Sequence, residues 1–291
     1  MTRDIVDTQV HLFMTLDDNA AVKVMDGLGI SSVLIDEAWD FGDKDATGTP
    51  DEDSELMPAY RLPDGRYRPV SPGGITASLR RPDRFGYFQR INHDDPDLDY
   101  VMRDCAASPG CKAFRLDVRT PPQIADYADG GQRDLFRRAE RLAMPVFINT
   151  MGRAPEFEPY IRDCPSLPII FDHCGIPQSA ADYDRLLELA RYPNVFVKWC
   201  HAPLMFQAKK FPFPEVRPYL ARALEAFGPE RLMWASDFTA VDYGARVRNE
   251  PDSRYSWAEA LYYMRCNPDL SEGDQEWVLG RTARKVLNWP A

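Results

Sequence analysis

The sequence predicts an α/β protein built as an eight-stranded barrel of the TIM type. Eight apolar runs rich in β-branched and aromatic residues alternate along the 291 residues with amphipathic helical stretches. No short turn joins two of these runs as a hairpin, which favours parallel strands connected by crossover helices. The first run also lacks the glycine-rich phosphate-binding turn that usually follows it in an open, doubly wound sheet. We therefore expect one domain spanning residues 1–291.

The predicted strands are short and regularly spaced. They cover residues 4–13, 32–35, 85–91, 111–116, 145–149, 169–175, 195–201 and 232–237. Helices are expected over residues 17–28, 96–107, 135–142, 156–162, 183–190, 214–227, 256–265 and 275–287. Residues 40–84 break this alternation, because they are rich in Pro, Gly, Asp and Arg and are too many for a plain connection. We interpret them as a lid-like loop inserted after the second strand, with a solvated insertion of no role as the alternative.

Composition and charge exclude several classes of partner. The formal net charge of −10 argues against nucleic-acid backbones and anionic membrane surfaces. The sequence shows neither a signal peptide nor a run of about 18 apolar residues, so no membrane partner is expected. Its six cysteines have no paired CxxC spacing. These features favour a cytoplasmic protein with reduced thiols that acts on a small-molecule substrate.

Polar residues collect where the predicted strands end. Alternation in the first strand places Asp7, Gln9 and His11 on one face, where a buried strand normally carries aliphatic residues. The carboxyl ends of barrel strands converge on one mouth, which holds the catalytic groups of such folds. The residues at or near the later strand ends are Glu37, Arg90, Arg115, Asn149, His173, Lys198, His201 and Asp237. We therefore expect one shared site at this mouth.

These residue types suit the hydrolysis of an ester or lactone. Asp237 is the candidate general base, and we expect partial desolvation among other acids to raise its pKa. His173 and His11 would polarise the carbonyl group of the substrate. The side-chain amides of Gln9 and Asn149 would donate further hydrogen bonds. For Asp237 and His173, a purely structural role is the alternative.

A carboxylated substrate would also need a cation. Arg115 could bind a carboxylate through its two-pronged guanidinium, with Lys198 and Arg90 adding positive charge. Arg115 could instead pair with a neighbouring acid, either Asp117 or Glu37. His201 is the last of the predicted substrate-binding residues, and it could equally be a packing imidazole.

Several motifs resemble the amidohydrolase superfamily. Residues 7–12, Asp-Thr-Gln-Val-His-Leu, resemble its opening Asp-Thr-His-x-His motif. Residues 171–175, 197–201 and 230–238 resemble the sixth-, seventh- and eighth-strand motifs of the amidohydrolase-related branch. That branch contains 2-pyrone-4,6-dicarboxylate lactonase, sugar lactonases and aminocarboxymuconate-semialdehyde decarboxylase. Residues 112–115 resemble the lactonase segment whose Arg holds a substrate carboxylate. The resemblance implies the barrel and a hydrolase of this branch.

Two departures from the family pattern bear on the cofactor. Gln9 stands at the first His of the family's His-x-His pair, and Asn149 stands where metal-binding members place a His. Amide oxygens are weaker zinc ligands than imidazole nitrogens, and the pyrone-dicarboxylate lactonase works without a metal, so no obligatory cofactor is expected. If a single zinc or manganese ion binds, its predicted ligands are His11, His173 and Asp237, with His201 as a further nitrogen donor.

The leading hypothesis is a hydrolase that opens a lactone of a small, carboxylated substrate by water that Asp237 activates. One alternative is a metal-dependent decarboxylase or C–N hydrolase of the same superfamily. A second alternative is a catalytically degenerate barrel that binds a ligand or a protein. Related barrels often associate, so the resemblance leaves a homo-oligomer open.

Overall fold

The computed structural model describes residues 4–11, 18–37, 59–118, 121–128, 130–239 and 255–290. Eight consecutive parallel strands curve into a barrel with helices on its outside, so the predicted fold is confirmed. In chain order the strands are β1 (Val6–His11), β2 (Ser32–Ile35), β3 (Ala59–Arg61), β4 (Tyr67–Pro69), β5 (Phe85–Arg90), β6 (Cys111–Asp117), β7 (Val146–Asn149), β8 (Ile169–Phe171), β9 (Val195–Trp199), β10 (Leu232–Trp234) and β11 (Phe238–Thr239).

The segment after the eighth barrel strand closes the barrel. The sheet order is β10-β9-β8-β7-β6-β5-β2-β1-β11, and every neighbouring pair is parallel. The chain leaves β10 and returns as β11 to the free edge of β1. The Thr8 hydroxyl donates to the Trp234 carbonyl at 2.8 Å, and the Asp237 N–H donates to the Gln9 carbonyl at 3.0 Å. These bonds make the first and last strands neighbours.

The helices lie mostly where the sequence predicts them. They cover Asp18–Leu28, Pro72–Arg80, Leu98–Ala107, Pro121–Ala128, Arg133–Arg141, Glu158–Asp163, Ala180–Glu188, Ala202–Met205, Arg217–Phe227, Trp257–Arg265, Glu272–Glu276 and Thr282–Val286. Reciprocal caps begin two of the late helices, Ser256 with Glu259 and Ser271 with Asp274. Within the described ranges, no helix has both the length and the apolar character needed to cross a membrane.

The insertion after the second strand contains regular structure that was not predicted from the sequence. β3 and β4 form an antiparallel hairpin, and the helix Pro72–Arg80 packs against β5. The backbone N–H groups of Gly73 and Gly74 at the start of this helix donate to the Glu37 carboxylate at 3.0 and 2.9 Å. Strands of three residues carry too short a pattern to recognise in the sequence. Residues 40–58 of the predicted lid lie outside the described residues.

The amino-terminal half of the barrel interior is an apolar layer. Each of the eight barrel strands contributes one buried side chain: Val6, Leu34, Phe88, Ala113, Phe147, Ile170, Phe196 and Met233. The end of the chain packs against this layer through Ala283, Val286, Leu287 and Trp289. Side chains alternate between the two faces of a strand, so the next inward positions lie two residues further along, nearer the mouth.

Candidate active site

Polar side chains replace the apolar layer toward the carboxyl ends of the strands. Two residues beyond the apolar layer, six buried or nearly buried polar residues follow: Asp36, Arg90, Arg115, Asn149, Asp172 and Lys198. Past these positions, turns carry His173, His201 and Asp237, whose backbone φ angles are 50°, 50° and 53°. This left-handed conformation is unfavourable for a residue with a side chain, and it often marks functional sites.

The Asp237 carboxylate is the centre of the site. Its Oδ1 lies 2.9 Å from His11 Nε2, while its Oδ2 lies 3.2 Å from His173 Nε2 and 2.6 Å from His201 Nε2. The rings of His173 and His201 stack with their centroids 5.5 Å apart. The structure thus brings together the three predicted catalytic residues, and it adds His201 to them.

A chain of buried ion pairs lies beneath this centre. Asp172 Oδ1 lies 2.6 Å from Lys198 Nζ, and Asp172 Oδ2 accepts a hydrogen bond from Arg115 Nε at 2.8 Å. Arg115 also donates to Asp36 Oδ2 at 2.5 Å. Arg90 donates to both carboxylate oxygens of Asp36, at 2.8 and 2.6 Å. Each cation therefore contacts at least one buried carboxylate, as buried charges require.

The predicted substrate-binding cations are already paired within the protein. Arg90 also donates to Asp117, so the ion-pair chain joins three cations to three carboxylates. Arg115 hydrogen-bonds two buried carboxylates, but neither belongs to Asp117 or Glu37. The side chain of Arg115 is 3% exposed and that of Lys198 is fully buried, whereas that of Arg90 is 13% exposed. Arg90 is thus the most accessible of the three.

Gln9 connects the ion-pair chain to the centre. Its Nε2 donates to Asp36 Oδ2 at 3.3 Å and lies 3.2 Å from His11 Nε2, while its Oε1 accepts from Lys198 Nζ. Asn149 lies at the carboxyl end of β7, and its buried Oδ1 has no hydrogen-bond partner among the described residues. Gln9 therefore has an evident structural role, whereas the Asn149 oxygen is available to a ligand.

Strict alternation predicts that Asp7 faces the mouth together with Gln9 and His11. In the structure Asp7 does not face the mouth. The pairing of β1 with β2 shifts after Asp7, which changes the direction of the following side chains. The fully buried Asp7 carboxylate accepts hydrogen bonds from the Ser236 N–H at 2.9 Å and the Trp257 indole at 2.7 Å. Burial raises the pKa of Asp7 to about 6. Asp7 thus fixes the residue that precedes Asp237.

Opposing effects set the pKa values at the centre. Burial acts to raise the pKa of Asp237, but His201 and His11 hold this pKa well below its usual value. The expectation of a raised pKa was therefore wrong, because the neighbours of Asp237 are imidazoles rather than acids. Burial lowers the pKa of His173 to about 4 against the opposing hydrogen bond to Asp237, and Lys198 lowers it further. At neutral pH Asp237 is ionised and His173 is neutral.

The chemistry of the centre fits a divalent metal ion. His11 Nδ1 lies 2.6 Å from the Asp36 carbonyl oxygen, so Nδ1 carries the proton and donates it. The Nε2 lone pair of His11 then faces a carboxylate oxygen, and two electron-rich atoms at this distance require a proton or a metal cation between them. A backbone carbonyl that orients a histidine in this way is typical of metal ligands. His11, His173 and Asp237 could therefore hold a single ion, with His201 beside them.

Some residues of the site were not among the candidates predicted from the sequence. Asp36 and Asp172 occupy inward positions two residues beyond the apolar layer, so the alternation of their strands could have identified them. The sequence pattern predicted Glu37, rather than Asp36, at the mouth. In the structure the Glu37 carboxylate instead accepts hydrogen bonds at the start of the helix Pro72–Arg80. The Tyr255 hydroxyl lies 3.0 Å from His201 Nδ1, and no local motif marks it.

Together, the barrel and the group of imidazoles around a carboxylate at its mouth define a barrel enzyme. A model of the family described as Amidohydrolase matches residues 6–289, and the chain belongs to this family. It is therefore an enzyme of the hydrolase type, which counts against a degenerate barrel with only a binding role.

Comparison with known proteins adds two kinds of similarity. The chain is 31% identical over 126 residues to an L-fucono-1,5-lactonase from Burkholderia ambifaria, and the match covers 37% of this chain and 40% of the lactonase. The chain thus aligns with less than half of this relative.

Similar solved structures share the fold along nearly the whole chain. A Burkholderia multivorans amidohydrolase with bound zinc has a TM-score of 0.71 at 15% identity, covering 99% of this chain and 100% of that one. A Pseudomonas putida protein assigned as a 2-pyrone-4,6-dicarboxylic acid hydrolase has a TM-score of 0.66 at 17% identity, with 100% of both chains covered. A 2,6-dihydroxybenzoate decarboxylase from Rhizobium is also similar. At such identities the likeness shows the fold alone.

Proposed function

We propose that the protein opens the ring of a lactone, or a related ester, in a small carboxylated molecule. The observation that carries this proposal is the convergence of three imidazoles on the ionised Asp237 carboxylate at the barrel mouth. This arrangement offers a proton acceptor beside hydrogen-bond donors, which ester hydrolysis requires. The partial match to a lactonase supports the choice of a lactone.

Asp237 acts as the general base in this proposal. As water adds to the carbonyl carbon, it becomes more acidic, and the Asp237 carboxylate takes its proton. The ring C–O bond then breaks, and the proton passes to the leaving alkoxide to give a hydroxy acid. Polarisation of the carbonyl group by His11 and His173 stays a prediction, because His11 Nδ1 donates to the Asp36 carbonyl and both Nε2 atoms face the Asp237 carboxylate. A divalent ion held by His11, His173 and Asp237 would polarise the carbonyl group and lower the pKa of water.

Arg90 is best placed to meet the carboxylate of the substrate. It is the most exposed of the three predicted cations, and its two partners Asp36 and Asp117 leave it at the edge of the ion-pair chain. Arg115 and Lys198 are buried. They would contribute indirectly, because their ion pairs hold Asp36 and Asp172 in place. Their predicted direct contact with the substrate stays a prediction.

A substrate screen tests the proposal. Chelator-treated protein is incubated with sugar lactones and aromatic-derived lactones, with and without added zinc or manganese, and the acid released by ring opening is followed with a pH indicator. We expect acid release from at least one class of lactone. Hydrolysis of none of them would overturn the proposal.

The same screen separates the decarboxylase and C–N hydrolase alternatives. Aromatic carboxylates are tested for release of carbon dioxide, and cyclic amides are tested for release of an amine. Metal-dependent carbon dioxide or amine release, without lactone opening, would replace the lactonase proposal. Elemental analysis of protein purified without chelator shows in parallel whether a transition metal is bound in stoichiometric amount.

A further inference from the structure

Cys200 lies beside the centre and has no part in the proposed reaction. It follows β9 two residues after Lys198, and it is fully buried. Among the described residues, one group of three potential metal-ligating side chains has all its ligand atoms within 4.8 Å of one another: His173, Cys200 and Asp237. The predicted ligand His11 does not belong to this group. The tightest donor set at the mouth therefore contains a thiol.

His173 provides a second, independent observation. Its Nε2 lies 3.2 Å from Asp237 Oδ2, so these two atoms face the same space. Its buried Nδ1 has no hydrogen-bond partner in the described part of the chain, so no contact fixes which ring nitrogen carries the proton. With the proton on Nδ1, the Nε2 lone pair faces the Asp237 carboxylate, and two electron-rich atoms at this distance require a cation between them.

The local charges also suit a dication. A thiolate at Cys200 and the carboxylate of Asp237 would together neutralise one divalent ion in a buried site. The nearby ammonium of Lys198 does not oppose this, because Asp172 already neutralises it at 2.6 Å. The other buried thiol of this region, Cys174, points instead to the Cys200 carbonyl oxygen at 3.5 Å.

We propose that Cys200 is a metal ligand that, with His173 and Asp237, makes the mouth selective for zinc over manganese. Metal binding displaces the thiol proton to solvent and forms a metal–sulfur bond. Thiolate and imidazole ligands favour zinc, whereas manganese prefers oxygen ligands. The inference concerns the ion alone, so it does not depend on which ester or lactone the enzyme opens.

X-ray absorption at the zinc edge tests the ligand set directly in the full-length wild-type protein. The protein is stripped with chelator and reloaded with one equivalent of zinc. We expect a sulfur shell at about 2.3 Å in addition to nitrogen and oxygen at about 2.0–2.1 Å. A spectrum that needs only nitrogen and oxygen, or failure to retain zinc, would overturn the inference. Either result leaves the lactone screen unaffected.

Two matched variants test the selectivity. Cys200→Ser removes the proposed ligand, while Cys174→Ser changes a neighbouring buried thiol outside the donor set. We expect Cys200→Ser to weaken zinc affinity at least about tenfold relative to manganese, with no such change in Cys174→Ser. Near-ultraviolet circular dichroism checks that each variant is folded, and if Cys200→Ser does not fold, the wild-type absorption spectrum decides. An unchanged ratio of zinc to manganese affinity in a folded Cys200→Ser protein would overturn the inference.

Discussion

Two layers of the same barrel interior lie only two residues apart along the strands, but they differ in polarity and in their need for specific partners. The apolar layer, which includes Phe88 and Phe147, packs without any need for specific partners. The ion-pair chain above it is nearly as buried, but each of its charges depends on a neighbour. Lys198 joins the layers, since its Nζ lies 5.7 and 5.5 Å from the centres of the Phe88 and Phe147 rings. Stability and site geometry thus come from successive inward positions of the same strands.

The largest expected effect on stability is in the ion-pair chain. Lys198→Met leaves the buried Asp172 carboxylate with Arg115 as its remaining partner, and removing one member of a buried pair costs about 3–5 kcal/mol. We expect a loss of this size in the free energy of unfolding, measured by urea denaturation at pH 7. Lys285→Met, at an exposed position of the closing helix, is the control. A loss below about 1 kcal/mol would mean that the pairing is dispensable.

An effect of intermediate size concerns pH. His173 binds a proton near pH 6.5 when unfolded but near pH 4 when folded. Between these values the unfolded chain binds more protons, so stability falls as the pH drops from 6.5 toward 4. The contribution is about 3 kcal/mol. The pKa values of Asp36 and Asp172 are lowered, so their contribution is lost in a separate window, as the pH falls below about 4.

His173→Gln isolates this contribution. We expect wild type to lose more unfolding free energy than His173→Gln between pH 7 and pH 4.5, and His93→Gln to behave as wild type. Denaturation curves at the two pH values measure the difference. Equal losses in wild type and His173→Gln would show that His173 is not responsible.

The smallest expected effect is in the apolar layer. Ile170→Val removes one methylene group from a fully buried position and should cost about 0.5–1.5 kcal/mol. Because Ile170 contacts the interior below the site, we expect the rate of substrate turnover to stay unchanged. A large change in turnover from this substitution would show that the two layers are coupled more tightly than their separation along the strands suggests.

The fold could be predicted from the sequence because its pattern is repeated eight times. β2 has the predicted bounds, and the other seven predicted barrel strands differ only at their ends. The hairpin within residues 59–69 and the helix Pro121–Ala128 were not predicted, since each is short and bounded by prolines or charges. Repetition along the chain carried more information than any single segment.

The site could be predicted less completely. The meeting of His11, His173 and Asp237 follows from strand ends that converge, whereas the direction of the Asp237 pKa shift depends on which neighbours lie within contact distance. The register shift that turns Asp7 away from the mouth depends on strand pairing, which no local pattern shows. Tertiary contacts therefore decide the roles of residues whose positions the sequence predicts.

The most direct measurement is the turnover of a responsive lactone by Asp237→Asn beside Asp4→Asn. Asp4 pairs with Arg284 through two hydrogen bonds of 2.9 Å just before β1, at the opposite end of the barrel, so its substitution controls for the loss of a carboxylate. If Asp237 is the general base, kcat should fall about 10²–10⁴-fold in Asp237→Asn and stay near the wild-type value in Asp4→Asn. A folded Asp237→Asn protein that keeps the wild-type kcat would contradict the central role of this carboxylate.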